Sequence, residues 1–217
     1  TIEFIERGTE IPFYKNQKNI AVGDLGQFFR KNSRDFNKNK WIKPNKILLT
    51  KYNKHFKKNK KTKVGVAWTS FTSKSNNTYE QRKVSLSQIS ACFPQDKFEL
   101  VNLQYGNIGE DIKKLKKNSG RELVLFDSVD YKNDIDSLAA IIMNCDFVVS
   151  VASFTTSFSG SLGKKTIAMV PMDFGWVWTH DSENHSTWFP KVKLLLQEKP
   201  GSWKEVLMKL KDEINNF

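Results

Sequence analysis

Short apolar runs alternate with helical patterns along most of this chain. The runs are Val64–Trp68, Phe98–Leu103, Glu122–Phe126, Asp146–Val151, Lys165–Val170 and Val192–Gln197. Each run is apolar at nearly every position, which is typical of strands covered by helices on both faces. Helical periodicity lies between or after them, over residues 85–93, 109–118, 134–145, 154–163 and 202–217. We therefore predict an α/β fold in which a parallel sheet is flanked by helices. Ser85 and Ser202 are the expected N-caps of the first and last of these helices.

Residues 1–62 lack this alternation. A helical pattern with Pro44 near its first turn runs to Phe56, and the lysine-rich segment Lys57–Lys63 follows it. We expect two parts. Residues 1–62 would form a partial N-terminal region with a linker helix, and residues 63–217 would form the α/β domain.

The chain of 217 residues carries a net charge of +12 and has a pI of about 9.6. Such an excess suits nucleic acid, an anionic membrane surface or an anionic substrate. It also arises where lysine and asparagine fill a solvated surface. The densest run, Lys51–Lys63, contains few aromatic rings and is typical of a solvated helix end and linker. We expect no specific nucleic-acid partner.

Other patterns exclude several classes of protein. No stretch of about 18 apolar residues and no signal peptide is visible, which predicts a cytoplasmic protein and leaves open peripheral contact with the inner membrane surface. Cys92 and Cys145 lack metal-ligand spacing and are expected to be buried free thiols. The three histidines form no metal-binding pattern, so we expect neither a metal nor a cofactor. Homo-oligomerisation stays open.

A patch rich in hydroxyl groups follows the fourth apolar run. Thr155, Thr156 and Ser157 fall at the start of the helix predicted over 154–163. A helix N-terminus offers free N–H groups and a positive dipole end, which suit a phosphate. A well-capped helix packed by small residues explains the same pattern. Gly160 predicts close packing of this helix on the sheet.

The neighbouring loops add candidates for the same edge of the sheet. The long loop after the first run begins at Thr69 and ends at Arg82 and Lys83, whose charges suit phosphate. Tyr105 follows the second run and would stack on a base or pack half-exposed. Asp127 follows the third run and would accept from ribose hydroxyls or cap a helix.

Several segments in order resemble the C-terminal half of a bacterial glycosyltransferase-like family. That family is often attached to tetratricopeptide repeats and is related to lipopolysaccharide heptosyltransferases and, more distantly, to O-GlcNAc transferases. The segments that carry the resemblance are VGVAWTS, LVNLQYG, DIDSLAAIIMNCDFVVSV, TTSFSGSLGKK, DFGWVW, STWFPKVKLLLQ and GSWKEVLMKL.

The resemblance implies the C-terminal half of a GT-B fold, which is Rossmann-like, preceded by a short remnant of the N-terminal domain. It implies a nucleotide-diphosphate sugar donor, metal-independent inverting transfer and a glycan, lipid-linked or protein acceptor. Donor-binding residues would be Thr69, Arg82, Lys83, Tyr105, Asp127, Thr155, Thr156 and Ser157.

Two departures from that family keep other interpretations open. Relatives often have Asp and His where this chain has Ala152 and Ser157. Most of the domain that supplies the acceptor site and general base is expected to lie outside the chain, so its catalytic residues stay unknown. A non-catalytic relative used for binding or scaffolding is the alternative, and a basic nucleic-acid-binding protein is a third.

Overall fold

The computed structural model describes residues 26–32, 35–36, 42–70 and 83–216. The chain divides into two compact units, residues 1–36 and 37–217. In the first unit, helix α1 spans Gly26–Phe29, and the Asp35 carboxylate accepts from the backbone N–H groups of Lys31 and Asn32. All elements described below belong to the second unit.

Five parallel strands form one sheet with the order β2-β1-β3-β4-β5. The strands are β1 Thr62–Ala67, β2 Phe98–Asn102, β3 Phe147–Val151, β4 Thr166–Val170 and β5 Val192–Leu196. Nearly every strand residue is buried, because helices cover both faces. The predicted Rossmann-like parallel sheet flanked by helices is confirmed.

Two layers of helices enclose the sheet. The helices are α2 Lys46–Phe56, α3 Leu86–Ser90, α4 Gly109–Ser119, α5 Ile135–Asn144, α6 Phe154–Ser161 and α7 Lys204–Asn215, with a 3₁₀ turn at Trp176–Trp178. One core joins α3, α4 and α7 to one face of the sheet, and a second joins α2, α5 and α6 to the other. Strand side chains alternate between these cores, as the pleat requires.

The helix caps test two sequence predictions. Ser85 caps α3 through a capping box with Gln88, as predicted. The predicted cap at Ser202 is wrong, because its hydroxyl donates to the Glu205 carboxylate at 2.7 Å and α7 begins after Trp203 without a side-chain cap.

The predicted strand at 122–126 is also wrong. Only Val124 pairs, through a single parallel bridge to Val101 at the edge of the sheet beyond β2. Its N–H donates to the Leu100 carbonyl, and its own carbonyl accepts from Asn102. Leu125 is exposed, so this segment is not enclosed as the central strands are.

Helix α2 packs against α5 and against Phe126, which follows the Val124 bridge. Tyr52 and Phe56 contact Phe126, and the Tyr52 hydroxyl hydrogen-bonds to Ser137 of α5 at 3.1 Å. The composition of the sequence predicts a boundary after residue 62, whereas the compact units of the structure divide after Phe36. Residues 37–62, which include α2, therefore belong to the second unit.

A close approach fixes α6. An added Cβ at Gly160 would lie 2.6 Å from Cγ of the buried Phe189 ring. The sequence predicts close packing at this glycine, and the contacting group is Phe189 rather than a strand. Phe189 itself packs beside β4 and β5 in a third apolar cluster.

Overpacking in Gly160→Ala should cost about 1–3 kcal/mol, and the helix-propensity gain of about 1 kcal/mol offsets part of it, so we expect a net destabilisation of up to about 2 kcal/mol. Urea unfolding measures the change. Gly175→Ala is the matched control, because no atom lies within 4 Å of an added Cβ there. Equal stability of the two variants would contradict the close packing.

Both cysteines should resist alkylation in the folded chain. Burial raises the pKa of Cys92 to about 11 and that of Cys145 to about 12, and the thiolate is the reactive form. Both pKa values exceed the pKa of an unfolded thiol, so the folded chain holds these protons more tightly. The resulting contribution to folding stability is fully present below the unfolded pKa and is lost as pH rises toward 11 and beyond. Iodoacetamide labelling followed by mass spectrometry should show slow reaction at neutral pH and fast reaction in urea. Rapid native labelling of Cys145 would contradict its burial.

Candidate functional site

The carboxyl ends of the five strands meet at one edge of the sheet. Beyond β1 the chain order reverses, since β2 lies on one side of β1 and β3 lies on the other. Ligands of parallel α/β sheets bind in the crevice at such a switch point. The loops that follow β1, β2 and β3 therefore form the candidate site.

Most predicted site residues lie in these loops. Thr69 and Lys83 form an antiparallel bridge after β1, and Tyr105 lies shortly after β2. Asp127 follows the Val124 bridge, while Thr155, Thr156 and Ser157 open α6 after β3. Arg82 lies outside the described residues.

Buried amides join the ends of β1 and β2. Gln104 is 1% exposed, and its Oε1 accepts from the backbone N–H groups of Trp68 and Thr69 at 2.9 and 3.0 Å. Asn102 accepts from the Gln104 N–H and donates to the Gln104 carbonyl, both at 3.1 Å. Sequence reasoning missed both residues as determinants of the site. The signal in the sequence was the pair of amide residues, Asn102 and Gln104, at the end of a buried strand.

Thr69 presents a buried hydroxyl at the end of β1. The residue is 5% exposed, and its Oγ1 has no hydrogen-bond partner among the described residues. An unpaired buried hydroxyl is costly, so it marks a place where a ligand or water would complete the bonding. Thr69 lies at the crevice where the chain order reverses.

The start of α6 shows how the hydroxyl-rich patch is used. The carbonyl of Val151 accepts from the Ser150 and Thr156 hydroxyls, each at 2.8 Å. Ser153 is the N-cap residue, yet its side chain bonds to Ser150 at 3.1 Å and makes no cap hydrogen bond. The first N–H groups of α6 thus keep their capacity to meet an anion.

The three predicted hydroxyls at this helix differ in access. Thr156 is fully buried, Thr155 is 1% exposed and Ser157 is half-buried. The Thr156 hydroxyl donates to the Val151 carbonyl in the turn between β3 and α6, which is a structural role. Ser157 is the more accessible hydroxyl at this helix start.

A cavity of about 360 Å³ opens after β2. Its lining includes both Tyr105 and Asp127, so the structure brings these two predicted residues together. Asp130 also lines it, but its carboxylate accepts from Lys132 and Asn133 within its own turn, and these bonds lower its pKa. No such bonds are recorded for Asp127 in the described chain, which leaves it the freer acceptor.

The floor of this cavity is mixed. Buried Gln104 and Asn102 contribute amides, and Ile108, Ile112 and Val129 contribute apolar surface. Burial raises the pKa of Tyr131, which also lines the cavity, so its phenol stays protonated at neutral pH. A planar ring with hydrogen-bonding edges matches these surfaces.

The tryptophan-rich segment after β4 splits into two roles. Trp178 is buried in the third apolar cluster. Trp176 is 68% exposed and meets Trp188 edge-to-face at 5.3 Å.

Two searches of the described residues gave negative results. They contain no group of three or more His, Cys, Asp or Glu arranged to hold a metal ion. None of the described helices is both long enough and apolar enough to cross a membrane.

Comparisons with known proteins add to this geometry. No protein-family profile matches the chain. Protein FlbA of Caulobacter vibrioides (strain ATCC 19089 / CIP 103742 / CB 15) is 24% identical over 199 residues, which cover 91% of this chain and 33% of that protein. The crystal structure of the glycosyl transferase family 9 from Veillonella parvula DSM 2008 superposes with a TM-score of 0.52 and 12% identity, over 90% of this chain and 56% of that one.

The chain shares the fold of a glycosyl transferase family 9 structure. This agrees with the predicted GT-B-like relationship at the level of the fold. The chain spans about a third of the curated relative and just over half of the solved structure. Links to tetratricopeptide repeats and to O-GlcNAc transferases stay predictions.

Replacing Gln104 by Met should destabilise the fold by about 2–4 kcal/mol, since two buried N–H groups lose their acceptor. Thermal and urea unfolding measure this loss. Gln95→Met is the matched control, because the exposed Gln95 makes a single bond to the Ser119 carbonyl. Gln104→Met and Gln95→Met variants of equal stability would rule out the proposed bridging role.

Proposed function

We propose that this chain is the donor-binding part of a glycosyltransferase and binds a nucleoside-diphosphate sugar at the carboxyl edge of its sheet. One observation carries the proposal. In a fold shared with a glycosyl transferase family 9 structure, an uncapped helix N-terminus follows β3, and a pocket with an aromatic ring and a carboxylate follows β2, the two strands that flank β1.

The diphosphate would lie at the start of α6. The free N–H groups and dipole of α6 stabilise negative charge. The Thr69 hydroxyl, which is unpaired within the described residues, and the accessible Ser157 hydroxyl would add donors. Arg82 and Lys83 would add positive charge near this crevice. The backbone of Lys83 pairs with Thr69, while Lys83 also lines a groove with Gln88 and Trp203.

The nucleoside would occupy the pocket after β2. Tyr105 would stack on the base, and Asp127 would accept from ribose hydroxyls. Strands β2 and β3 flank β1, so their ends are about 10 Å apart, or two strand spacings. An extended nucleoside diphosphate bridges such a gap, with its base at one strand end and its phosphates at the other.

The chemistry would be inverting transfer without a metal. Helix N–H groups and hydroxyls aimed at the departing diphosphate stabilise the charge that develops as the glycosidic bond breaks. The general base and the site for a glycan, lipid-linked or protein acceptor would come from outside the described residues. The reaction would take place in the cytoplasm, peripheral to the inner membrane surface.

A second candidate is a relative that binds a donor but does not transfer it. Ala152 packs against the apolar cluster that contains Trp178, and Ser157 is a short hydroxyl. The resembling family often has Asp and His at these two positions. Neither residue here offers a carboxylate or an imidazole, so donor orientation would be weaker.

Calorimetric titration with UDP, GDP, ADP, CMP and their sugar conjugates tests donor binding. One diphosphate should bind saturably. The Thr155→Val/Ser157→Ala double variant should bind it more weakly, because hydroxyl donors at α6 are lost. We leave Thr156 intact, since its hydroxyl holds the Val151 carbonyl and its loss would disturb the fold.

Ser161→Ala at the far end of α6 is the matched control, since its hydroxyl bonds only to the Ser157 carbonyl. Tyr105→Leu should weaken binding by roughly 10-fold through lost base stacking. Chelators should leave binding unchanged. The proposal fails if no nucleotide binds, or if the α6 variant and the control bind equally. Binding without donor hydrolysis or transfer, once the rest of the protein is supplied, would favour the second candidate.

A further inference from the structure

Helix α2 and the segment after it carry an unusual concentration of positive charge. Between Ile42 and Lys61 the sequence contains eight lysines and no acidic residue or arginine. All eight lysines are exposed: Lys43, Lys46, Lys51, Lys54, Lys57, Lys58, Lys60 and Lys61. We call the solvent-facing side of α2 with this segment the lysine face.

The lysine face has an apolar centre. Tyr52 and Phe56 point inward and are buried, whereas Ile47 lies on the opposite side and is 78% exposed. Lys51 and Lys54 follow Ile47 at i+4 and i+7, so they flank it on the same side. A shallow groove along the helix is lined by these three residues with Lys46, Thr50 and His55.

The charges on this face repel one another. Lys51 and Lys54 are spaced at i,i+3 within α2, an arrangement in which like charges are unfavourable. The first turn of α2 has no acidic residue to offset Lys46. Some lysines elsewhere in the described chain pair with acids, as Lys113 does with Glu110 and Lys209 with Glu198. Within the described part of the chain the eight lysines form no ion pair, and residues 42–61 contain no acidic residue, so the lysine face has no counter-charge of its own.

We propose that the lysine face binds the surface of an anionic lipid bilayer. Each lysine acts as a point charge that attracts a diffuse layer of anionic headgroups. Ile47, central and exposed, would enter the boundary between headgroups and acyl chains. This specifies a surface for the peripheral membrane contact, and it does not depend on nucleotide binding.

The composition of the face favours a bilayer over nucleic acid. Specific nucleic-acid sites use arginine for bidentate contacts and aromatic rings for stacking. The lysine face has no arginine. The aromatic rings of Tyr52 and Phe56 lie on the opposite side of α2 and are buried against Phe126. An exposed branched aliphatic side chain among lysines suits a lipid interface better.

Vesicle sedimentation of the whole 217-residue chain tests the proposal. The probes are vesicles of phosphatidylcholine alone and of equal parts phosphatidylcholine and phosphatidylglycerol. The chain should sediment with the anionic vesicles only. The triple variant Lys46→Glu/Lys51→Glu/Lys54→Glu should bind them on the order of 100-fold more weakly. Ile47→Ser alone should bind them about tenfold more weakly, because less apolar area is buried.

The matched control is Lys114→Glu/Lys191→Glu/Lys204→Glu, which changes the net charge equally at three exposed lysines elsewhere. This control should keep most of the vesicle binding, and circular dichroism should show all variants folded. Equal loss in both triple variants would overturn the proposal in favour of a nonspecific charge effect. Binding to duplex DNA at physiological salt, lost only in the α2 variant, with no vesicle binding, would overturn it in favour of nucleic acid. Nucleotide titration of the α2 variant separates either result from failure of the proposed function.

Discussion

The buried amide of Gln104 is the interaction on which the candidate site depends most. Parallel strands leave N–H groups unpaired where they end, and those groups must be satisfied if the edge is covered. Gln104 meets two of them, at Trp68 and Thr69, and Asn102 holds the backbone of Gln104 in turn. The ends of β1 and β2 are thereby fixed relative to each other. The crevice and the pocket beside Tyr105 therefore share one rigid wall.

A second constraint explains why so many hydroxyls follow β3. The turn from β3 into α6 leaves the Val151 carbonyl buried, and the hydroxyls of Ser150 and Thr156 satisfy it. This use consumes part of the patch that suggests phosphate binding in the sequence. The capacity for an anion then rests on backbone N–H groups, on Ser157 and on Thr69 across the crevice. Within this hydroxyl-rich segment, therefore, only some of the hydroxyl groups are available to bind a ligand.

The sequence predicts the central sheet well because buried parallel strands are continuous apolar runs, which periodicity detects. It fails at residues 122–126, where the same apolar pattern lies at an edge and forms one bridge. It also fails at Ser202, since a side chain chooses between a backbone N–H and the Glu205 carboxylate only in three dimensions. The candidate carboxylates Asp127 and Asp130 are alike in sequence. They differ once the turn around Asp130 is known to consume its oxygens.

The two proposed binding regions carry very different shares of the net charge of +12. In the described part of the pocket after β2, Lys132 is accompanied by Asp127 and Asp130, so the charges there nearly balance. Recognition of a diphosphate in this region would rely on directed neutral donors and on the helix dipole, which are short-ranged. The lysine face is the reverse, with many cations and no counter-charge, and acts over about a Debye length. The net charge therefore combines two different regions: the candidate site, which depends on local geometry, and the lysine face, whose diffuse charge orients the chain.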